Sequence, residues 1–121
     1  MRAFQAHNAS TIGTQSDTAY TVSKHGVAAL VKNTVGFYGD QGIYTVALML
    51  GVLQTNINDG LAALGGFNQE IYARSGLAAR PLEAVTDTAD VARYCVFLAD
   101  ARIAAGVNGS SIVFNKNWPR Q

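Results

Sequence analysis

The sequence predicts an α/β fold: a truncated doubly wound parallel sheet of about three strands with flanking helices. Three observations predict it. Short apolar runs alternate with longer segments of helical period. The central run, Ile43 to Leu50, is apolar nearly throughout, as a strand covered on both faces of a parallel sheet would be. The order strand, helix, strand, helix, strand occurs once, whereas a complete doubly wound sheet needs two such sets. With 121 residues there is room for one domain, taken as residues 1–121.

Met1–Ala9 is a weak strand candidate. From Ser16 to Tyr38, the residues Tyr20, Val27, Leu30, Val31 and Val35 recur at three- and four-residue spacing among small alanines, which describes a long helix with one buried face. Ser16 or Thr18 can cap its start, and Gly39 can end it before the turn Asp40-Gln41-Gly42. The strand Ile43–Leu50 follows and Gly51 breaks it. Short helical stretches are expected at Asn58–Leu64 and Asn68–Arg74, with Gly65-Gly66 between them, then a loop from Gly76 to Val85. A second strong helix runs from Thr88 to about Asp100, with Val91, Cys95, Phe97 and Leu98 as its apolar side. Asn108-Gly109 turns the chain into a closing strand, Ser111–Asn115.

Hydrophobic residues make up 49% and charged residues 14%, a composition far from that of disordered chains. The formal charge is +1 and no two basic residues are adjacent, so nucleic acid and anionic membrane are excluded as expected partners: both need clustered Lys and Arg. Cys95 is the single cysteine, so an internal disulfide is not available, and it reads as a packing residue. The start has no apolar h-region and no segment has the length of a membrane span; a soluble, cytoplasmic protein is expected.

The chemistry concentrates in Tyr20-Thr21-Val22-Ser23-Lys24. A spacing of four puts Tyr20 and Lys24 on one helix face, one turn apart. A phenol with a pKa near 10 does little proton transfer at neutrality, and a nearby ammonium lowers that value by favouring the phenolate. Such a pair can pass a proton to or from a carbonyl or alcohol oxygen. The spacing also arises by chance, so context decides. Ser10 lies ten residues upstream, where the first strand hands over to the loop. A hydroxyl there can bond an oxygen that gains charge, although Ser at a strand end is most often a capping or turn residue. His7 and His25 have no carboxylate or cysteine neighbours of ligand spacing, so no metal is expected; packing or a surface role is the reading for His25 and packing for Trp118.

Residues 19–30, Ala-Tyr-Thr-Val-Ser-Lys-His-Gly-Val-Ala-Ala-Leu, resemble the active-site helix of the short-chain dehydrogenase/reductase family. Residues 42–55 are similar to that family's sixth strand and the loop after it. Arg80-Pro81-Leu82, the helix start at Thr88 and the turn Gly106-Val107-Asn108-Gly109 resemble its C-terminal section. The resemblance covers nearly all of the chain from Ser10 onward, and it implies the catalytic half of a Rossmann-like fold. It implies Ser10, Tyr20 and Lys24 as catalytic residues: Ser10 orienting the substrate oxygen, Tyr20 the general acid/base, and Lys24 tuning the phenol and bonding the nicotinamide ribose. Backbone groups near Gly51 and Leu53 would meet the nicotinamide carboxamide, and Thr55 would lie by the nicotinamide or pyrophosphate. The implied cofactor is NAD or NADP, the substrate a small carbonyl or alcohol, and the reaction hydride transfer.

The sequence departs from the family in several places. It has no glycine-rich turn to cradle the pyrophosphate, no residue placed to read the adenosine ribose, and no upstream Asn-Ala-Gly. Leu50 stands where Pro is usual, and Asn115-Lys116-Asn117 stands where Asp-Gly-Gly is frequent. The Ser10-to-Tyr20 interval is also short for the family. Two functions are therefore carried forward. One is a nicotinamide-dependent oxidoreductase, or the catalytic half of one completed by an N-terminal half of a longer gene product or by a partner chain; the other is a non-catalytic remnant that self-associates or binds a partner. An exposed strand edge and an uncovered helix face both lead to the expectation of a homo-oligomer or a complementing chain.

Overall fold

Six consecutive residues, Thr45–Leu50, are buried without a break, and a strand buried on both faces must lie between two neighbours and two layers. The computed structural model describes residues 2–7, 18–56, 59, 60, 63, 65, 66, 68–74 and 79–118. Its elements run β1 (Arg2–His7), α1 (Thr18–Tyr38), a 3-10 turn (Gly39–Gln41), β2 (Thr45–Leu50), α2 (Gln69–Arg74), a 3-10 turn (Leu82–Ala84), α3 (Thr88–Leu98), α4 (Ala101–Gly106) and β3 (Ser111–Phe114).

The sheet has the order β1-β2-β3 and is parallel throughout. Arg2 pairs with Thr45 and His7 with Leu50; Ala47 pairs with Ser111 and Leu50 with Phe114. Side chains of β2 alternate between two cores, as strand geometry requires. Ala47 and Met49 face α1, where Val27, Ala28 and Val31 pack on them. Val46, Leu48 and Leu50 face the other layer, formed by Val91, Tyr94, Cys95 and Leu98 of α3 with Ile103 of α4. One layer on each face of a parallel sheet is the doubly wound arrangement, here with three strands.

α1 lies on β1 and β2, so Val113 of β3, on the same face as Met49, stays 46% exposed. The helix ends at Tyr38, and Gly42 rather than Gly39 takes the left-handed turn, at φ 75. Val35 and Gly39 approach Gly109 and Asn108, next to the start of β2, where the Asn108 side-chain oxygen accepts from the Thr45 amide at 2.8 Å. The end of α1 therefore sits at the amino end of the sheet, and its beginning at the carboxyl end.

Several expectations are corrected. β2 begins at Thr45, not Ile43, because Ile43 and Tyr44 precede the first ladder bonds. Leu30 is 47% exposed: it stands 100° around the helix from the buried Val31. Phe97 is also exposed, and Tyr94 takes its place on the apolar side of α3. Positions 91, 94, 95 and 98 follow the i, i+3, i+4, i+7 rule, which 97 does not. The helix expected to reach Asp100 ends at Leu98. Asp100 caps α4 by accepting from the Arg102 amide at 2.8 Å, as Asp87 caps α3 through the Ala89 amide. β3 ends at Phe114, because the Asn115 side chain bonds the Asn117 amide and bends the chain. Of the expected stretch 58–64, residues 59, 60 and 63 are described and are helical; α2 realises the core of the next one.

Candidate active site

Tyr20 and Lys24 occupy the first two turns of α1, at the carboxyl end of the sheet. Both are half-buried. The Lys24 ammonium stands over the Tyr20 ring, 5.1 Å from its centroid, a cation–π contact that the four-residue spacing makes available. Burial pushes the Tyr20 phenol above its ordinary value, because desolvation penalises the phenolate. This direction is opposite to the lowering anticipated from the ammonium. Around the pair, the Ser23 hydroxyl donates to the Tyr20 carbonyl at 2.7 Å, and His25 Nδ1 donates to the Thr21 carbonyl at 2.9 Å. Both bonds return to the same helix, which occupies His25 with its own backbone. Ser10 lies outside the described residues.

Gly51, Leu53 and Thr55 follow β2 at the same carboxyl end. Gly51 is buried and its amide donates to the Phe114 carbonyl at 3.1 Å, extending the β2–β3 ladder by one step. A Cβ built on Gly51 would stand 2.8 Å from both Cα and Cβ of Asn115, so only glycine fits without moving backbone. Leu53 then forms a parallel bridge with Thr86. The Thr86 amide donates to the Val52 carbonyl at 2.8 Å, and the Gln54 amide donates to the Thr86 carbonyl at 3.2 Å. In extended chain alternate residues turn their polar groups to opposite sides, so the N–H and C=O of Leu53 point away from Thr86. Among the described residues neither group has a backbone hydrogen-bond partner, so on that side a planar amide would find one donor and one acceptor. Thr55 is exposed.

The sheet thus brings five of the six expected site residues to one end, the end where open α/β sheets bind ligands. Sequence reasoning missed the residues that fix the loop: Thr86, Asn115 and the turn behind Asn115. Only the substitution of Asn115-Lys116-Asn117 for the frequent Asp-Gly-Gly marked that region. An open cavity of about 280 Å³, bounded by Thr86, Asp90 and residues 113–117, adjoins the turn and contains none of the six. Among the described residues no three His, Cys, Asp or Glu side chains converge, and no helix is long and apolar enough to cross a membrane.

Comparison with known proteins agrees with this geometry. The family model described as enoyl-(acyl carrier protein) reductase matches residues 4–116. A short chain dehydrogenase/reductase of Colletotrichum higginsianum is 38% identical over 119 residues, covering 93% of this chain and 42% of the relative. A candidate 2-deoxy-D-gluconate 3-dehydrogenase from Agrobacterium tumefaciens, solved with NADP, is 27% identical with a TM-score of 0.74, over 98% of this chain and 46% of that one. A short chain dehydrogenase from Mycobacterium paratuberculosis bound to NAD has a TM-score of 0.76 over 94% of this chain and 43% of its own; at 20% identity it speaks for the fold alone. The fold is that of the Rossmann-like α/β class. Within that class, the chain belongs to the short-chain dehydrogenase/reductase family, and it spans 42% of the curated relative it matches.

Proposed function

We propose that this chain carries the proton-transfer half of an NAD(P)-dependent oxidoreductase site for a small carbonyl or alcohol substrate. A bound nicotinamide supplies or accepts the hydride. In the reductive direction Ser10 holds the substrate oxygen by a hydrogen bond, and Tyr20 donates its proton to that oxygen as the carbonyl becomes an alcohol. In the oxidative direction the phenolate takes the proton back. Lys24 stabilises that phenolate and donates to a ribose hydroxyl of the cofactor. Backbone groups near Gly51 and Leu53 receive the carboxamide, and Thr55 lies beside the nicotinamide or pyrophosphate.

The observation that carries this reading is the joint position of the Tyr20–Lys24 pair and the open Leu53 edge at the carboxyl end of one sheet. Family membership supports it, as does the NADP described for the Agrobacterium tumefaciens relative. A phenol raised by burial holds its proton at neutral pH, which suits donation; acting as a base requires the lysine charge to offset desolvation. Residues 1–121 are read as one domain, completed by an N-terminal half of a longer product, by a homo-oligomer or by a complementing chain.

The second reading is a non-catalytic module of the same fold that associates with itself or a partner. The exposed Val22, Leu30 and Phe37 of α1 favour it. Equilibrium binding of NADH and NADPH separates the two. Saturable micromolar binding, weakened at least about tenfold in Lys24→Ala and retained in Tyr20→Phe, is expected of the oxidoreductase. An absence of binding up to millimolar cofactor refutes that reading for the chain alone.

A further inference from the structure

The loop from Gly51 to Thr55 is held by residues far away in sequence, and these converge on one turn. On one side the Gly51 amide bonds the Phe114 carbonyl, and Gly51 lies against Asn115 so closely that a Cβ would not fit. On the other side Val52 and Gln54 pair with Thr86. Between these two clamps stands Lys116. Its Nζ donates to the Val85 carbonyl at 2.9 Å, joining the turn after β3 to the segment that holds the loop. Lys116 has φ 52 and Asn117 φ 57, a left-handed pair that is uncommon for a lysine and readily taken by an asparagine. The pair is held by Asn115, whose side-chain oxygen accepts from the Asn117 amide at 2.9 Å while its carbonyl accepts from the Trp118 amide at 3.0 Å.

We propose that Lys116 is a positioning residue: by tying the turn after β3 to Val85, it fixes the Gly51–Thr55 loop and hence the direction of the Leu53 backbone edge. The importance of that edge rests on the function proposed above, but the test of the tie does not. Amide hydrogen exchange is measured by NMR on the full chain and on Lys116→Met, Lys116→Gly and Lys116→Arg. The methionine and glycine variants are expected to raise exchange at the Gln54 and Thr86 amides about fivefold, the effect of one lost charge-assisted bond. The same loss should lower the thermal midpoint by a few degrees, and Thr45–Leu50 amides that exchange through global unfolding should rise by no more than the same factor. Glycine accepts the left-handed turn without strain, so its loss of protection reports the missing ammonium and not a collapsed turn. Lys116→Arg restores a donor and should exchange like the parent.

Unchanged exchange at Gln54 and Thr86 in the methionine and glycine variants overturns the proposal. So does an arginine variant that behaves like the methionine one. NADH titration of the same four proteins keeps the two readings apart. A parent with the expected exchange pattern but no NADH binding sinks the proposed function and leaves the tie established. Binding that weakens in Lys116→Met and returns in Lys116→Arg supports both.

Discussion

Tyr20 is a phenol whose proton is held more tightly in the folded chain than in the unfolded one. Its folded pKa is raised, so it contributes stability that is fully present below about pH 10 and is lost as pH rises through the folded value. Tyr20→Phe should therefore flatten the alkaline part of a stability–pH profile above pH 10, measured by denaturant unfolding, and leave the neutral region as it was. Gly51 gives a second test at this scale. Gly51→Ala forces a methyl group against Asn115 backbone, and we expect about 1–3 kcal/mol of destabilisation together with weaker NADH binding. The two residues also differ in how legible they were. Tyr20 and Lys24 could be paired from sequence because a four-residue helical spacing is local. The use of Gly51 could not be read, because its reason for being glycine is Asn115, which reaches it only through the sheet. The rise at Tyr20 was illegible on the same ground: its cause is burial, which the sequence around Tyr20 does not show.

Among the elements, α1 and α3 were found from their periodicity, but periodicity was a weaker guide to which residues face inward. Leu30 and Phe97 are as apolar as their buried neighbours, and only the angle around the helix separates them. The division of α3 from α4 was missed because Asp100 reads equally as the last polar residue of one helix and the cap of the next. That cap is testable: Asp100→Ala should lower stability by about 1 kcal/mol in chemical denaturation. Leu98→Ala, on the same layer but fully buried, should lose about 2–4 kcal/mol in the same assay. If the two losses were equal, the packing of α3 on β2 would not be the main support of that layer.

As a whole molecule, the chain has the parallel three-stranded sheet and flanking helices that its alternating pattern predicted, and it leaves apolar surface uncovered. Val22, Leu30, Phe37 and Tyr38 are the exposed large hydrophobics of α1. Sedimentation equilibrium of the parent should show association at micromolar concentration, and Leu30→Glu with Phe37→Glu should give a monomer of unchanged circular dichroism. A monomeric parent would remove the homo-oligomer from consideration and leave a complementing chain.

The close seating of Gly51 on Asn115 also sets an order of events in time. Every strand pairing joins distant stretches of chain, so loops must close before any ladder bond rewards them, and folding is correspondingly slow. β2 cannot be finished by what precedes it. Its exit waits for Thr86 and then for Asn115 and Lys116, near the end of the sequence. The Gly51–Thr55 loop, and with it the proposed cofactor edge, therefore cannot be complete before the segment from Thr86 to Lys116 has been made and docked.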